Sequence, residues 1–387
     1  MTEFMSVVLL IAAGQALFLA GVVRSKNAAA MGIRRLLELA LVITAAWAIG
    51  GFFLPTTIGR DGWVFFKHLL GYDGSFAAAG VLAAASIAGA AVLGATAERS
   101  RLTPILVYSA IMAGVVWPVL ARLSMWWYAG IINGKSPLAL AALGGGAAAL
   151  LFAWKTGARK GKFNRDLSVN FFPGHAVPLQ ITGVLILATG WVFSEGPHVM
   201  LGFAAAVLAA ALFGRLKFGK VDGGLTLLGA VGGLAAAVFC PPFLSGVGNL
   251  LGQGGAAAVL AGGIAGYLVP WLVVRIETVW RIDDAAGLAS AHLGGGLVGL
   301  VISALTSKPG SFGGYLNGLW HDAVFAVVAI AVPAAVAFGV ATFFAKKNAL
   351  RTDETSEYEG LDLAELDVNA YPDFQQTMIK SHHLRQM

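Results

Sequence analysis

Eleven apolar stretches, each close to the length needed to cross a bilayer, decide what this chain can fold into. A spanning α-helix takes about 20 mostly apolar residues, because it rises about 1.5 Å per residue across a hydrocarbon core of about 30 Å. Such stretches occupy residues 4–23, 36–55, 75–97, 103–125, 138–155, 177–194, 199–214, 224–241, 255–274, 286–306 and 321–345. The sequence therefore predicts an all-α integral membrane protein with eleven transmembrane helices. Of its 387 residues, 12% are charged and 58% hydrophobic, about half the charge that an ordinary soluble domain carries. A soluble enzyme and a disordered chain are excluded, and the single Cys240 rules out a disulfide scaffold. The first stretch reads as a span rather than a cleaved leader. Glu3 stands where a basic residue would, and no small-residue cleavage site follows.

Charge placement sets the orientation. Threaded through eleven crossings, every Lys and Arg except Arg60, Lys67, Arg122, Lys135 and Lys308 falls on one side of the membrane. The positive-inside rule makes that side cytoplasmic, so the N-terminus is expected outside and the C-terminus inside a cell (inner) membrane. The net charge of +6 is thus a topology signal and not a nucleic-acid footprint. Residues 1–345 read as the transmembrane part and 346–387 as a cytoplasmic tail, acidic from Asp353 to Asp373. That tail is too short for its own core. It is read either as disordered or as docked on the basic loops, with Leu361, Leu363 and Leu366 favouring docking.

Spans five and ten share a motif. Leu143-Gly144-Gly145-Gly146 recurs as Leu293-Gly294-Gly295-Gly296 in a helix of opposite sense, as two inverted five-helix repeats (about 4–155 and 177–306) plus an eleventh helix would produce. The repeat singles out His292, the one histidine deep inside an expected span. At that depth an ionisable group faces a cavity or another helix. It either serves a polar solute or satisfies a neighbouring carbonyl. Glu38, Glu98, Asp283 and Asp284 fall near expected helix ends and read as structural. Trp63, Trp126, Trp127, Tyr128 and Trp320 suit an outer interfacial belt. Trp191 lies deeper and is a candidate pore residue.

Several segments together resemble the Amt/Rh ammonium transporter family. They are Gln15 to Asn27 (QALFLAGVVRSKN), Ala97-Glu98-Arg99, Arg159-Lys160-Gly161, His175-Ala176-Val177-Pro178-Leu179 and Gly190-Trp191. Asp283-Asp284 with His292-Leu293-Gly294-Gly295-Gly296 and the tail Glu359 to Pro372 (EGLDLAELDVNAYP) complete the set. The resemblance implies a homotrimer with one pore per subunit. It also implies a cytoplasmic regulatory tail that includes Glu359, Gly360, Leu361, Asp362, Tyr371 and Pro372 and can meet a trimeric PII-type signal protein. In that family two pore histidines share a hydrogen bond; here the second is His292 and the first falls at Ala142. The family's two conserved Asp residues fall at Gly134 and Gly287, and its two gate phenylalanines at Ala84 and Ser194. The outer-site Ser falls near His198 and the outer-site Trp at Trp126.

With one imidazole left and two rings lost, the path is expected to be wider and more apolar unless neighbouring helices close in. Glu195 and Glu38 are the carboxylates that could restore negative charge. Three functions follow: passage of ammonium or ammonia, passage of another small neutral or larger solute or gas, and a sealed sensor or scaffold. No Cys/His metal cluster, G-x-S-x-G or P-loop is present in the sequence to support an enzyme or a cofactor.

Overall fold

The computed structural model describes residues 2–50, 75–120, 136–240, 253–306 and 312–372. Within these residues the chain is helical. The long helices are α1 (Thr2–Val22), α2 (Ala28–Ala48), α3 (Ser75–Ala95), α4 (Leu102–Leu120), α5 (Pro137–Thr156), α6 (Val177–Glu195) and α7 (His198–Phe218). They are followed by α8 (Gly223–Ala237), α9 (Gln253–Thr278), α10 (Leu288–Thr306) and α11 (Phe312–Lys346), and then by two short tail helices, α12 (Glu354–Glu359) and α13 (Leu361–Leu366). Among the described residues, seven helices are each long and apolar enough to cross a membrane, and three more apolar stretches, Ser6–Val22, Gly80–Ala95 and Gly223–Ala237, are shorter.

Helix α2 corrects the expected span at 36–55. It begins at Ala28 and carries Arg34, Arg35 and Glu38 buried inside it. Those charges looked interfacial because their partners lie far away in sequence. Likewise α11 starts nine residues before its expected start at 321 and so takes in Trp320.

Lipid gives helices no hydrophobic reason to associate, so packing rests on close backbone approach. The crossing of α5 and α10 shows this most clearly. A Cβ at Gly146 would overlap the Leu293 amide nitrogen, and one at Gly296 would lie 3.3 Å from that of Leu143. The contact is reciprocal, as a two-fold relation between the repeats requires. Their flanks match as well: Gly145 packs on Ala88 of α3, and Gly295 on Gly232 of α8.

Two prolines extend the pattern. Pro333 in α11 and Pro270 in α9 each leave the carbonyl four residues earlier without its helical donor. Gly144 lies against Ala329 and Pro333, while Gly229 lies 2.8 Å from the Gly266 oxygen and 3.4 Å from Pro270 Cγ, each measured from an added Cβ. A glycine thus brings Cα–H groups to each freed carbonyl. In α4 the hydrogen bonding widens to a π-turn over Met112–Val116 just before Pro118, the local answer to a missing N–H.

Replacing Gly295 by Val should lower the thermal stability of the detergent-purified protein by about 3 kcal/mol or more, since the overlap is with backbone. Gly32→Ala, where nothing lies within 4 Å of the added carbon, should change the melting temperature little.

Candidate functional site

His292 sits on α10 at the crossing with α5. Its Nδ1–H donates to the Leu288 carbonyl at 2.8 Å, which leaves Nε2 with a free lone pair and no protein partner. The Trp191 ring of α6 lies against it, with centroids 6.3 Å apart and planes tilted by 53°. Trp191 Nε1–H is also without a partner. One acceptor and one donor therefore remain unpaired in the same buried place, a departure from the usual rule that buried polar atoms are bonded.

Ala84, Ala142, Trp191 and His292 are all 0% exposed. The expected widening is thus corrected: α3, α5 and α10 have closed in over glycine, Gly145 on Ala88 and Gly146 on Leu293. Small residues at 84 and 142 removed bulk, and the same smallness let the backbones approach.

A second group lies one helical turn beyond Trp191 on α6. Ser136 is the N-cap of α5, its Oγ accepting from the Leu138 amide at 3.0 Å. Its hydroxyl donates to Glu195 Oε1, and Ser194 Oγ donates to the same oxygen at 3.3 Å. A carboxylate from the end of α6 thereby completes the N-terminus of α5, where negative charge complements the helix dipole. Ser194 belongs to this group through its hydroxyl. His198, the first residue of α7, is buried and hydrogen-bonded to the Cys240 backbone at the end of α8. Trp126, Gly134 and the outer aromatics Trp63, Trp127 and Tyr128 lie outside the described residues.

The helix ends on the side of the tail are joined by buried ion pairs. Arg159 grips Asp283 through Nε at 2.9 Å and Nη2 at 2.8 Å, and its backbone N–H adds a third bond at 2.9 Å. Arg24 grips Glu98 with its Nε at 2.8 Å and its backbone N–H at 2.7 Å, and Arg159 Nη1 reaches Glu98 at 3.4 Å. Arg99 donates to carbonyls at Ala95, Gly157 and Asp283. Burial alone would raise the Glu98 carboxyl, but Arg159 and Arg24 hold it below its ordinary range. Burial opposes ionisation of Asp283 too, yet Arg99 and Arg159 hold it well below. Asp284 accepts from Ser290 N and Oγ, both at 2.8 Å, and so fastens the start of α10.

Through residue 372 the tail is docked on this platform. It enters by an antiparallel bridge between Ser100 and Arg351. Glu357 accepts from the Lys160 backbone at 2.7 Å and from Arg351 at 2.7 Å. Asp362 accepts from Ala30 N at 2.7 Å and Ala29 N at 3.2 Å, capping α2, while Leu361 N donates to Asn27 Oδ1 at 2.8 Å. Glu365 pairs with Arg34, and His175 Nε2 lies 2.6 Å from the Tyr371 hydroxyl. Gly360 adopts φ +110°, and a Cβ there would strike the Lys26 carbonyl. Glu359 and Pro372 are exposed.

Docking therefore rests on carboxylates more than on the leucines that suggested it. Leu361 is buried, but Leu363 is 53% exposed. Sequence reasoning missed Ser136 and the partner assignments of Arg35 and Glu365; a Ser-Pro pair before an apolar run was the one available signal for Ser136.

Comparison with known proteins bears on the whole chain. A profile of the Ammonium Transporter Family matches residues 1–196 and 198–371. Ammonium transporter Amt2 of Haloferax mediterranei is 29% identical over 94% of this chain and 87% of its own. Ammonium transporter Amt2 of Archaeoglobus fulgidus is 29% identical over 95% and 86%. A solved structure described as a sensor Amt protein superposes with a TM-score of 0.81 over 94% of this chain and 96% of its own, at 22% identity, a likeness of fold.

Because Glu98 and Asp283 titrate lower folded than unfolded, their stabilisation is complete above about pH 5 and is lost as acid protonates them. Asp283→Asn should cost about 3 kcal/mol at pH 7 by leaving buried guanidinium charge unpaired. The gap between variant and parent melting temperatures should narrow toward pH 3; a gap independent of pH would contradict this account. Gly360→Val should release the tail, seen as at least tenfold faster hydrogen exchange at the Ala29, Ala30 and Leu361 amides with the transmembrane helices still protected.

Proposed function

The chain belongs to the Ammonium Transporter Family, and from that membership we propose that it passes ammonium or ammonia through the α5/α10 crossing of each subunit. It is a multi-span membrane protein of a transporter family. The observation that carries the reading is the unpaired couple of His292 Nε2 and Trp191 Nε1–H in a dry interior. Ammonia has N–H groups to give to the imidazole lone pair and a lone pair to take the indole N–H. Ammonium has only donors, so in that stretch it would leave the indole unsatisfied and bear the cost of desolvating a charge. Neutral ammonia is therefore the species suited to the crossing, and the proton parts from it outside the dry stretch. With Ala at 142, His292 works without a second imidazole.

Glu195, held by Ser136 and Ser194, is the carboxylate that draws the cation toward the outer end of this path, one turn beyond Trp191. His198, Ala84 and Trp126 complete the set of residues we assign to the path or its outer mouth. The close packing around Ala84 and Ala142 removes the reason for choosing a larger solute. By kinship we further assign a homotrimer with one pore per subunit, N-terminus outside and C-terminus cytoplasmic in the cell membrane. The docked tail face, with Glu359, Tyr371 and Pro372, is the surface we assign to a PII-type regulator.

In proteoliposomes on a solid support, with a pH-sensitive dye inside a matched set, an ammonium pulse should give saturable uptake. His292→Ala should reduce that uptake at least tenfold. Glu195→Gln should raise the half-saturating ammonium concentration several-fold with less change in the maximum. Unaltered uptake in His292→Ala would remove the crossing from the path. No uptake by folded wild-type protein would favour the sealed-scaffold reading.

A further inference from the structure

Inside the first repeat, away from the α5/α10 crossing, four helices enclose a cluster of charge. Arg35 of α2 pairs with Glu38 one turn along the same helix, and both are about 1% exposed or less. Arg35 Nη2 also donates to Gln15 Oε1 of α1 at 2.7 Å and to Ser86 Oγ of α3. Gly89, one turn beyond Ser86, leaves a notch into which Glu38 fits. A Cβ there would overlap Glu38 Oε1 and stand 2.6 Å from Ser109 Oγ of α4. Tyr108, the neighbour of Ser109, is buried as well.

The cluster is incompletely bonded. Arg35 Nε, Gln15 Nε2, Glu38 Oε1, Ser109 Oγ and Tyr108 Oη are all buried without a hydrogen-bond partner. One unsatisfied group of this kind costs about 1–3 kcal/mol, and more if charged. Five in one place, around an ion pair already desolvated, is a cost that a native membrane protein is not expected to bear. Of the corresponding helices in the second repeat, α7 and α9 carry charged residues only in their last turns and α8 carries none. The cluster is thus a special feature of the first repeat and not a requirement of the fold.

We propose that this cluster is a second, occluded polar site whose ligand is water. The unpaired atoms select the ligand. Arg35 Nε, Gln15 Nε2 and the two hydroxyls all have hydrogens to give, whereas Glu38 Oε1 can only accept. With Arg35 and Glu38 cancelling in charge, the site takes a neutral molecule that accepts at least as well as it donates. Water has two lone pairs and two hydrogens. Ammonia has one lone pair, and ammonium has none, so neither satisfies a donor-rich pocket. Water at Glu38 Oε1 joins the carboxylate to Ser109 and Tyr108, and another at Arg35 Nε reaches the Gln15 amide. Each then makes two or more bonds, as buried water requires. The transported solute is consequently excluded from the first repeat's interior and confined to the crossing.

Radiolytic footprinting of the full-length protein in lipid nanodiscs tests this, with water itself as the probe. Hydroxyl radicals made from bound water modify adjacent side chains even where bulk solvent has no access. Tyr108 should be modified at least tenfold more than Phe152, which is equally buried and packs edge-on against it at 6.2 Å. Arg35→Met with Glu38→Met should remove that excess by filling the site with apolar side chains. Should that double variant not fold, Ser109→Val should reduce the excess severalfold. Equal, low modification of Tyr108 and Phe152 in the parent would mean a dry cluster and overturn the proposal. An excess that persists in a folded double variant would do so as well, since the water would then lie elsewhere. Neither result depends on whether ammonium is the solute.

Discussion

Everything in the membrane part follows from how closely α5 and α10 cross. Lipid tails are as apolar as the helices, so only contact between backbones can hold two spans together, and contact needs residues with no side chain. Leu-Gly-Gly-Gly in each helix supplies such a surface twice, once in each direction. Each helix then presents its leucine backbone to the other's third glycine and its second glycine to a helix of its own repeat. His292 begins one such motif and Ala142 precedes the other, so the crossing that builds the fold also delivers the imidazole to the centre of the molecule. Small residues at 84 and 142 let the backbones approach, and the centre is fully buried.

Electrostatics divides the molecule differently. Along the crossing the environment is buried and almost free of charge. Toward the end that holds the tail, guanidinium groups from Arg24, Arg34, Arg99 and Arg159 are each met by carboxylates or carbonyls from distant segments. Such pairs are costly to desolvate and add little net stability. Their value is positional: Arg159 can sit in one place only, because Asp283 and Glu98 approach it from different sides. The tail joins the same scheme by inserting carboxylates among cations already present. Adjacent arginines on α2 mark the division, with Arg34 turned to the tail and Arg35 to the interior.

What sequence alone revealed was local or periodic. Apolar length located the spans, the glycine motif exposed the inverted repeat, and depth within a span singled out His292. What it hid was contact between remote positions. Arg34, Arg35 and Glu38 looked like a charged helix end because Glu365, Gln15 and Ser86 lie 331, 20 and 51 residues from their partners. Ser136 carried only the helix-start signal of a Ser-Pro pair, and its bond to Glu195 spans 59 residues. The tail was expected to bind through leucine. It binds through Asp362 and Glu357, whose donors, the Ala29, Ala30 and Lys160 backbones and Arg351, sit at a helix start and on loops, where no periodicity marks a partner.

The cap on α2 has a consequence for synthesis. Helix α2 is among the first spans to emerge from a ribosome, yet the carboxylate that satisfies its leading amides comes from Asp362, about 330 positions later. Until nearly the whole chain exists, those amides must make do with water or a chaperone. A prematurely terminated product would display an unfinished helix start, together with Arg34 lacking its Glu365 partner. Synthesis as far as residue 362 is thereby recorded in the structure, and a chain that stops short of it differs by that exposed helix start.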